Sequence, residues 1–524
     1  MGFIAEDELL KLLGGYFEYP IVSLKNYQEK NLFIEGLPEG FMREIKFVPL
    51  ELKDNLLCLA IGNPFDVYAL EAIRAATGYD LDVRLAKESE ISDTLEKLFS
   101  TGSSSMERLI ETMGKEEDGD IALDNEGDVD HLKDMASEAP VIRLVNMIIS
   151  RAIELRASDI HFEPFEKSFH IRYRIDGVLH DMESPPRNLQ AAVISRIKIM
   201  SKLNIAERRL PQDGRVKLRV MGKEIDFRVS TLPTLFGESV VMRILDSESI
   251  VFDLDSLGFP KEKLSTFEDL IMRPHGIILV TGPTGSGKTT TLYSALNKIN
   301  SPEKKIITVE DPVEYQLHGV NQIHVKPSIG LTFSSALRSI LRQDPDVVMI
   351  GEIRDAETAE IAIHAALTGH LVFSTLHTND AAGAVTRLLE MGMENYLVSS
   401  SLIAIMAQRL VRVICPHCRE EFAPSAETLQ EMELDARSAE GLSLARGTGC
   451  DQCAGTGYQG RQGIYELLTV TDTVRELILS QADSMALKEA ARKDGMQTLR
   501  EAGWNKVREQ KTTGAEVIRV TQVE

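Results

Sequence analysis

Residues 278–299, ILVTGPTGSGKTTTLYSALNKI, leave a chain few folds to choose from. An uncharged apolar run enters a loop with three glycines, and the loop opens through one lysine and three threonines into a helical pattern. Gly282-Pro283-Thr284-Gly285-Ser286-Gly287-Lys288-Thr289 fits GxxxxGK[ST] at every fixed position, with a predicted strand before it and a helix after it. The glycines let backbone N–H groups turn inward around a phosphate, and the helix N-terminus adds its partial positive charge. Lys288 then reaches the β and γ oxygens of a nucleotide, Thr289 can ligate Mg2+, and Thr290 completes the binding stretch. GKTT alone does not separate a hydrolase from a kinase or a simple binder.

The surrounding pattern says what sheet this loop belongs to. Runs GIILVTG, KKIITVE, DVVMIGE and HLVFSTLH alternate with helical segments, the βαβα order of a largely parallel sheet covered on both faces. This engine domain is expected over 254–524. At 524 residues the chain is too long for one core. Residues 1–100 mix strand runs (IKFVPLEL, LLCLAIG) with helical ones and predict a small α+β domain. A second α+β domain is expected over 138–253, where the helix VIRLVNMIISRAIEL precedes alternating runs such as FHIRYRIDGVL, RVKLRV, KEIDFRVSTL and VVMRIL. Between them, over 101–137, an acidic linker is expected: Glu111–Asp130 holds nine acids and one lysine with almost no large apolar residue.

The chain carries 80 acidic against 58 basic residues, a net charge of -22, which disfavours nucleic acid as a general partner. No window approaches the ~18 apolar residues of a membrane-spanning helix, and MGFIAEDELL lacks the features of a signal peptide, so a cytoplasmic protein is expected. Of five cysteines, Cys415, Cys418, Cys450 and Cys453 form two CxxC pairs 31 residues apart. In a reducing compartment two such knuckles satisfy tetrahedral Zn2+, with no open position left for catalysis. The module is expected over 412–466, with His417 as a spacer rather than a ligand.

A hydrolase also needs a carboxylate to orient water and another near Mg2+, both at the C-terminal edge of strands beside the loop. Glu310-Asp311-Pro312-Val313-Glu314 follows one such strand and Gly351-Glu352 another. Gly351 occupies the position where an aspartate is usual, so contact with Mg2+ through water is expected there rather than direct ligation. A transition state with charge on the γ-phosphoryl oxygens gains about 10³ to 10⁵ in rate from an inserted arginine. Arg338, Arg342, Arg209, Arg215, Arg228 and Arg243 are candidates.

Together, Thr281 to Thr291, ITVEDPVEY, ALRSILRQDPDVVMIGEIRDAET and TGHLVFSTLHTNDA resemble the Walker A loop, aspartate box, Walker B strand and histidine box of the secretion ATPases. The resemblance extends through ASDIHFEP, RYRIDG, LPQDGR, FRVSTLPT and the four cysteines, so it covers roughly Ala139 to the C-terminus. It is nearest to the type II secretion branch, with pilus-extension ATPases as neighbours. It implies a RecA-like engine using Mg2+ with ATP, in which Glu314 polarises the attacking water and Glu352 is the Walker B acid. His370 and His377 would sense the γ-phosphate or couple sites, and Arg228 and Arg243 would serve as fingers.

The resemblance further implies a homo-hexamer, peripheral on the inner membrane. Residues 1–100 would grip the cytoplasmic domain of a bitopic inner-membrane protein, with an inner-membrane platform protein as a possible second partner. Three other readings are pilus extension, an ATP-binding adaptor, and a nucleic-acid translocase. Glu314 with Glu352 argues against the adaptor. The charge, the single tryptophan and the lack of a basic run interleaved with aromatics argue against the translocase.

Overall fold

The computed structural model describes residues 6–17, 19–24, 41–42, 45–53, 56–100, 129–245, 252–432 and 442–522. They divide into two units, Met1–Asp246 and Ser247–Glu524. The first unit opens with α1 (Glu6–Phe17), β1 (Phe47–Lys53), β2 (Leu56–Ile61), α2 (Val67–Thr77), β3 (Asp80–Leu85) and α3 (Glu88–Ser100). β2 pairs antiparallel with β1 and parallel with β3, over a core that includes Phe47, Leu57, Leu59, Ile73 and Leu85. The parallel crossover runs through α2, which starts where Asp66 accepts the Ala69 N–H at 3.0 Å and stops at Gly78 in the left-handed region.

Residues 101–128, most of the expected acidic linker, lie outside the described residues. Its expected end does not stay irregular: 129–137 form helix α4 (Val129–Ser137), where Leu132, Met135 and Ala136 recur at helical spacing. Met135 packs on the next core, and Ala136 is fully buried.

That core belongs to α5 (Ala139–Glu154), β4 (Ala157–Pro164), β5 (Phe169–Ile175), β6 (Val178–Asp181), α6 (Gln190–Met200), β7 (Gln212–Val220), β8 (Lys223–Thr234) and β9 (Gly237–Leu245). The antiparallel sheet runs β6-β5-β4-β9-β8-β7. α5 buries Val141, Leu144, Val145, Ile148, Ile149 and Ala152, the stripe of a helix with one face on a sheet. Ile160, Phe162, Ile171, Tyr173, Phe227, Val229 and Met242 are buried in the same core. The other face carries a charged row at matched register: Arg215, Arg228, Arg243, Asp159 and Arg174 on β7, β8, β9, β4 and β5. The unit boundary after Asp246 falls short of the expected domain end at 253.

The second unit holds α7 (Lys261–Ile271), β10 (Gly276–Thr281), α8 (Lys288–Ile299), β11 (Ile306–Glu310), β12 (Val320–His324), α9 (Phe333–Ile340), β13 (Val347–Ile350), α10 (Ala356–Leu367), β14 (Leu371–Leu376), α11 (Ala381–Glu390), β15 (Leu402–Ile414), β16 (Arg419–Phe422), β17 (Leu444–Gly447) and β18 (Tyr458–Thr469). The sheet runs β12-β11-β13-β14-β10-β15-β18, parallel except for β18 against β15. All of β10 is buried: Ile277 and Leu279 enter the core on one face, Ile278 and Val280 the core on the other. A parallel strand covered on both faces reads as such a continuous apolar run.

β15 and β18 belong to this sheet up to Ile414 and from Tyr458. The cysteine module is therefore confined between them, around the β16–β17 hairpin, and does not span 412–466.

Candidate active site

The residues between β10 and α8 form the loop that the glycine pattern predicts, with Gly282, Gly285 and Gly287 at φ of 147°, 80° and 88°. Two of them also answer to a neighbour. A Cβ on Gly282 would lie 2.6 Å from the Gln408 carbonyl oxygen, and one on Gly287 would lie 2.7 Å from Gln408 Nε2. Gln408 of β15 is thus the wall behind the loop, and its Oε1 accepts the Thr291 hydroxyl at 2.8 Å. Lys288 donates from Nζ to the carbonyl oxygens of Gly282 at 2.7 Å and Pro283 at 3.0 Å. Burial pushes the Lys288 ammonium down to about 8, with Glu352 opposing the shift and Arg409 adding to it.

The Ser286 hydroxyl is buried with no hydrogen-bond partner among the described residues. An orphaned hydroxyl and a crowded ammonium turned onto its own loop both suit a polyphosphate, which accepts from each. Thr289 is exposed on the first turn of α8, beside Lys288.

Because β11, β13, β14 and β10 are parallel, everything that follows their C-terminal ends lies at one edge of the sheet. Glu314 is on the loop after β11, Glu352 follows β13, and His377 follows β14. Glu352 is mostly buried, pairs through Oε1 with Arg354, and has Oε2 3.3 Å from His377 Nε2. Gly351, in the position where an aspartate is usual, is packed against β11. A Cβ there would lie 3.3 Å from the Val309 carbonyl oxygen and 3.4 Å from Glu310 Cα.

The two histidines part company. His370 precedes β14, whose first residue is level with Gly276 while its last is level with Thr281. At ~3.3 Å per residue this puts His370 at the far edge of the sheet from the phosphate loop of its own chain, on the order of 20 Å away. Its Nδ1 lies 2.9 Å from the Ala365 carbonyl oxygen, at the end of α10. His370 is therefore out of reach of a γ-phosphate on its own chain's loop, which leaves it the coupling of sites, whereas His377 stands at the loop edge.

Among the candidate arginines, Arg243 donates from Nε to Asp159 Oδ1 at 2.9 Å, and Asp159 itself is buried. Arg228 stands directly opposite Arg243. Arg338 is paired with Glu357, and Arg342 donates to the Arg338 carbonyl oxygen at 2.8 Å. Arg209 pairs with Glu207, and Arg215 with Asp226.

Sequence reasoning missed the contacts that lock the edge together. The hydroxyls of Thr281 and Thr378 lie 2.8 Å apart, which ties the base of the phosphate loop to the segment after His377. The buried Arg409 donates to the Asn379 carbonyl oxygen at 2.7 Å, and Thr375 to that of Gly351 at 2.7 Å. No local pattern marks these residues, because each partner lies in a segment distant along the chain.

After the C-terminal end of β15, Cys415, Cys418, Cys450 and Cys453 bring their Sγ atoms within 4.8 Å of one another, and His417 stands exposed outside the group. Neighbouring sulfurs are 3.7 to 3.9 Å apart. A tetrahedron with Zn–S near 2.3 Å has edges of about 3.8 Å, so the thiols fit that ion. Gly447 allows the close approach: a Cβ there would fall 1.9 Å from the Gly457 carbonyl oxygen.

The family described as "Type II/IV secretion system protein" matches residues 134–519. The chain belongs to this family of secretion ATPases. The MshEN domain matches residues 17–105. "Type II secretion system protein E" of Xanthomonas campestris pv. campestris is 53% identical over 93% of this chain and 85% of its own length. "Type IV pilus assembly ATPase PilB" of Myxococcus xanthus is 44% identical over 99% of this chain and 91% of its own. Among solved structures, the ATPase DotB of Yersinia pseudotuberculosis shares the fold, with a TM-score of 0.55 and 21% identity over 73% of this chain and 94% of its own. No helix among the described residues is long and apolar enough to cross a membrane.

Proposed function

We propose that this secretion ATPase is a homo-hexameric motor that hydrolyses ATP at the cytoplasmic face of the bacterial inner membrane to power type II protein secretion. The 53% identity to a type II secretion system protein E carries this reading. The full-length likeness to PilB keeps pilus extension as the second reading. Deleting the gene in its own host is expected to stop secretion and leave pili intact. Loss of pili with secretion intact would move the protein to the second reading.

In the proposed site, Gly282 to Thr290 hold the phosphates, Lys288 contacts the β and γ oxygens, and Glu314 polarises the attacking water. Glu352, oriented by Arg354 and His377, faces the metal through water. Thr289 would hold Mg2+, which would supply charge neutralisation at the phosphate oxygens. Arg228 and Arg243 supply charge at the transition state, from a domain over 138–253 that covers the nucleotide of its own or a neighbouring subunit. Arg228→Ala and Arg243→Ala are expected to lower kcat far more than nucleotide affinity, since a charge used only in the transition state adds little to ground-state binding. Mixed rings in which the mutant subunits turn over normally would remove both residues from this role.

The four cysteines hold one structural Zn2+. Residues 1–100 serve as the anchor, gripping the cytoplasmic domain of a bitopic inner-membrane protein. The separate apolar cores of the two subdomains in the first unit support that division. Removing residues 1–100 is expected to leave basal ATPase activity largely intact, release the protein from membranes and stop secretion. A truncated protein that still sediments with membranes and restores secretion would end the anchor reading.

A further inference from the structure

Beneath the edge of the sheet that holds the site lies a buried polar group that the proposed chemistry does not use. Glu310, the last residue of β11, is 3% exposed. Its Oε2 accepts the Tyr293 hydroxyl, and its Oε1 accepts the Thr308 hydroxyl and, at 3.2 Å, Gln322 Nε2. A carboxylate in such a place is costly unless satisfied, and here three side chains satisfy it.

Each of these contacts leads toward the loop that carries Glu314. The Tyr293 oxygen lies 3.5 Å from Gln322 Nε2. Gln322, on β12, donates from Nε2 to the Tyr315 carbonyl oxygen at 3.0 Å and accepts the Leu317 N–H on Oε1 at 2.8 Å. The backbone of Tyr315 and Leu317 is thereby tied to Gln322, which stands against Tyr293 of α8 and Glu310 of β11. Tyr293 sits five residues after Lys288 on the same helix, on the order of 7.5 Å along its axis.

We propose that Tyr293, Glu310 and Gln322 are positioning residues that hold the Glu314 loop in register with the phosphate-loop helix. The inference rests on the assignment of Glu314 as the group that polarises water. Tyr293 suits the task because its hydroxyl donates to Glu310 and can still accept from Gln322. Burial, followed by the neighbouring Glu310 carboxylate, raises its pKa far above the ordinary tyrosine value, so the donor proton stays in place throughout the working pH range.

The test is Tyr293→Phe in the full-length protein, which removes one oxygen and keeps the ring packed against Phe252. Expected is a fall in kcat of about tenfold or more with the ATP KM changed by less than about threefold, since the substrate contacts are untouched and only the orientation of the attacking group is lost. Gln322→Ala, which removes both contacts to the loop backbone, is expected to give a loss at least as large with the same split.

A Tyr293→Phe protein with wild-type kcat overturns the inference, as does one in which KM rises as steeply as kcat falls. Glu314→Gln assayed in parallel keeps the two claims apart. If Glu314→Gln is inactive while Tyr293→Phe is normal, only the positioning role fails. If Glu314→Gln is as active as wild type, the assignment beneath it fails.

Discussion

Lys288→Ala is expected to abolish ATP binding or turnover, while Glu314→Gln keeps nucleotide affinity and loses about 10² to 10⁴ in rate, the range ascribed to general-base assistance. The two residues serve different stations. Lys288 sits on the phosphate loop itself, its ammonium turned onto the carbonyl oxygens of Gly282 and Pro283 until a phosphate replaces them. Nucleotide-binding titrations and phosphate release, measured on both variants, separate the roles. Near wild-type turnover in Glu314→Gln would name another base.

The same lysine predicts a pH effect whose sign can be worked out. In the free protein its pKa lies near 8, below the ordinary lysine value, because of burial, against the pull of Glu352 and with the push of Arg409. A bound polyphosphate favours the charged form, so binding above pH 8 must take up a proton. Affinity is therefore expected to be full below pH 8 and to weaken above it, by up to about tenfold per unit. In the nucleotide-free protein the depressed pKa works the other way: Lys288 costs folding stability below pH 8, and that cost is relieved as pH rises toward the unfolded value. Calorimetry in buffers of different ionisation enthalpy would register the proton taken up on binding, and a flat affinity between pH 7 and 9.5 would contradict it.

The second large effect is loss of the metal. One Zn2+ per chain is expected, and structural zinc in small modules is worth about 10 to 16 kcal/mol of apparent binding energy, more than a short hairpin can replace. Cys415→Ser or Cys453→Ser, or a strong chelator, is therefore expected to unfold the segment between β15 and β18. Elemental analysis and limited proteolysis provide the readouts. A reduced, purified sample without zinc and with unchanged protease resistance would overturn the assignment. The engine sheet is expected to survive, because β15 and β18 pair with each other outside the module, from Ala404 opposite Thr469 to Ile414 opposite Tyr458.

What could be read from the chain alone was whatever lies close together along it. The phosphate loop, the paired CxxC knuckles and the alternating strands each state their geometry within a few residues, since backbone conformation and ligand spacing are local constraints. The resemblance to secretion ATPases supplied the roles that spacing could not. Tertiary structure decided the rest. Thr291 and Gln408 are 117 positions apart and meet only because β15 is the neighbour of β10. His370 and His377 stand at the two ends of one strand, and only the parallel register shows which of them shares an edge with the phosphate loop. Glu310 reads as one acid among several in EDPVE until the packing of α8 over the sheet brings Tyr293 onto it. The acidic stretch before α5 reads as unable to fold to its end, yet α4 forms, with Met135 packed on the neighbouring core and Ala136 buried. In each case the deciding energy is a contact between distant residues, and strand order, which no short window of sequence contains, determines which distant residues can meet.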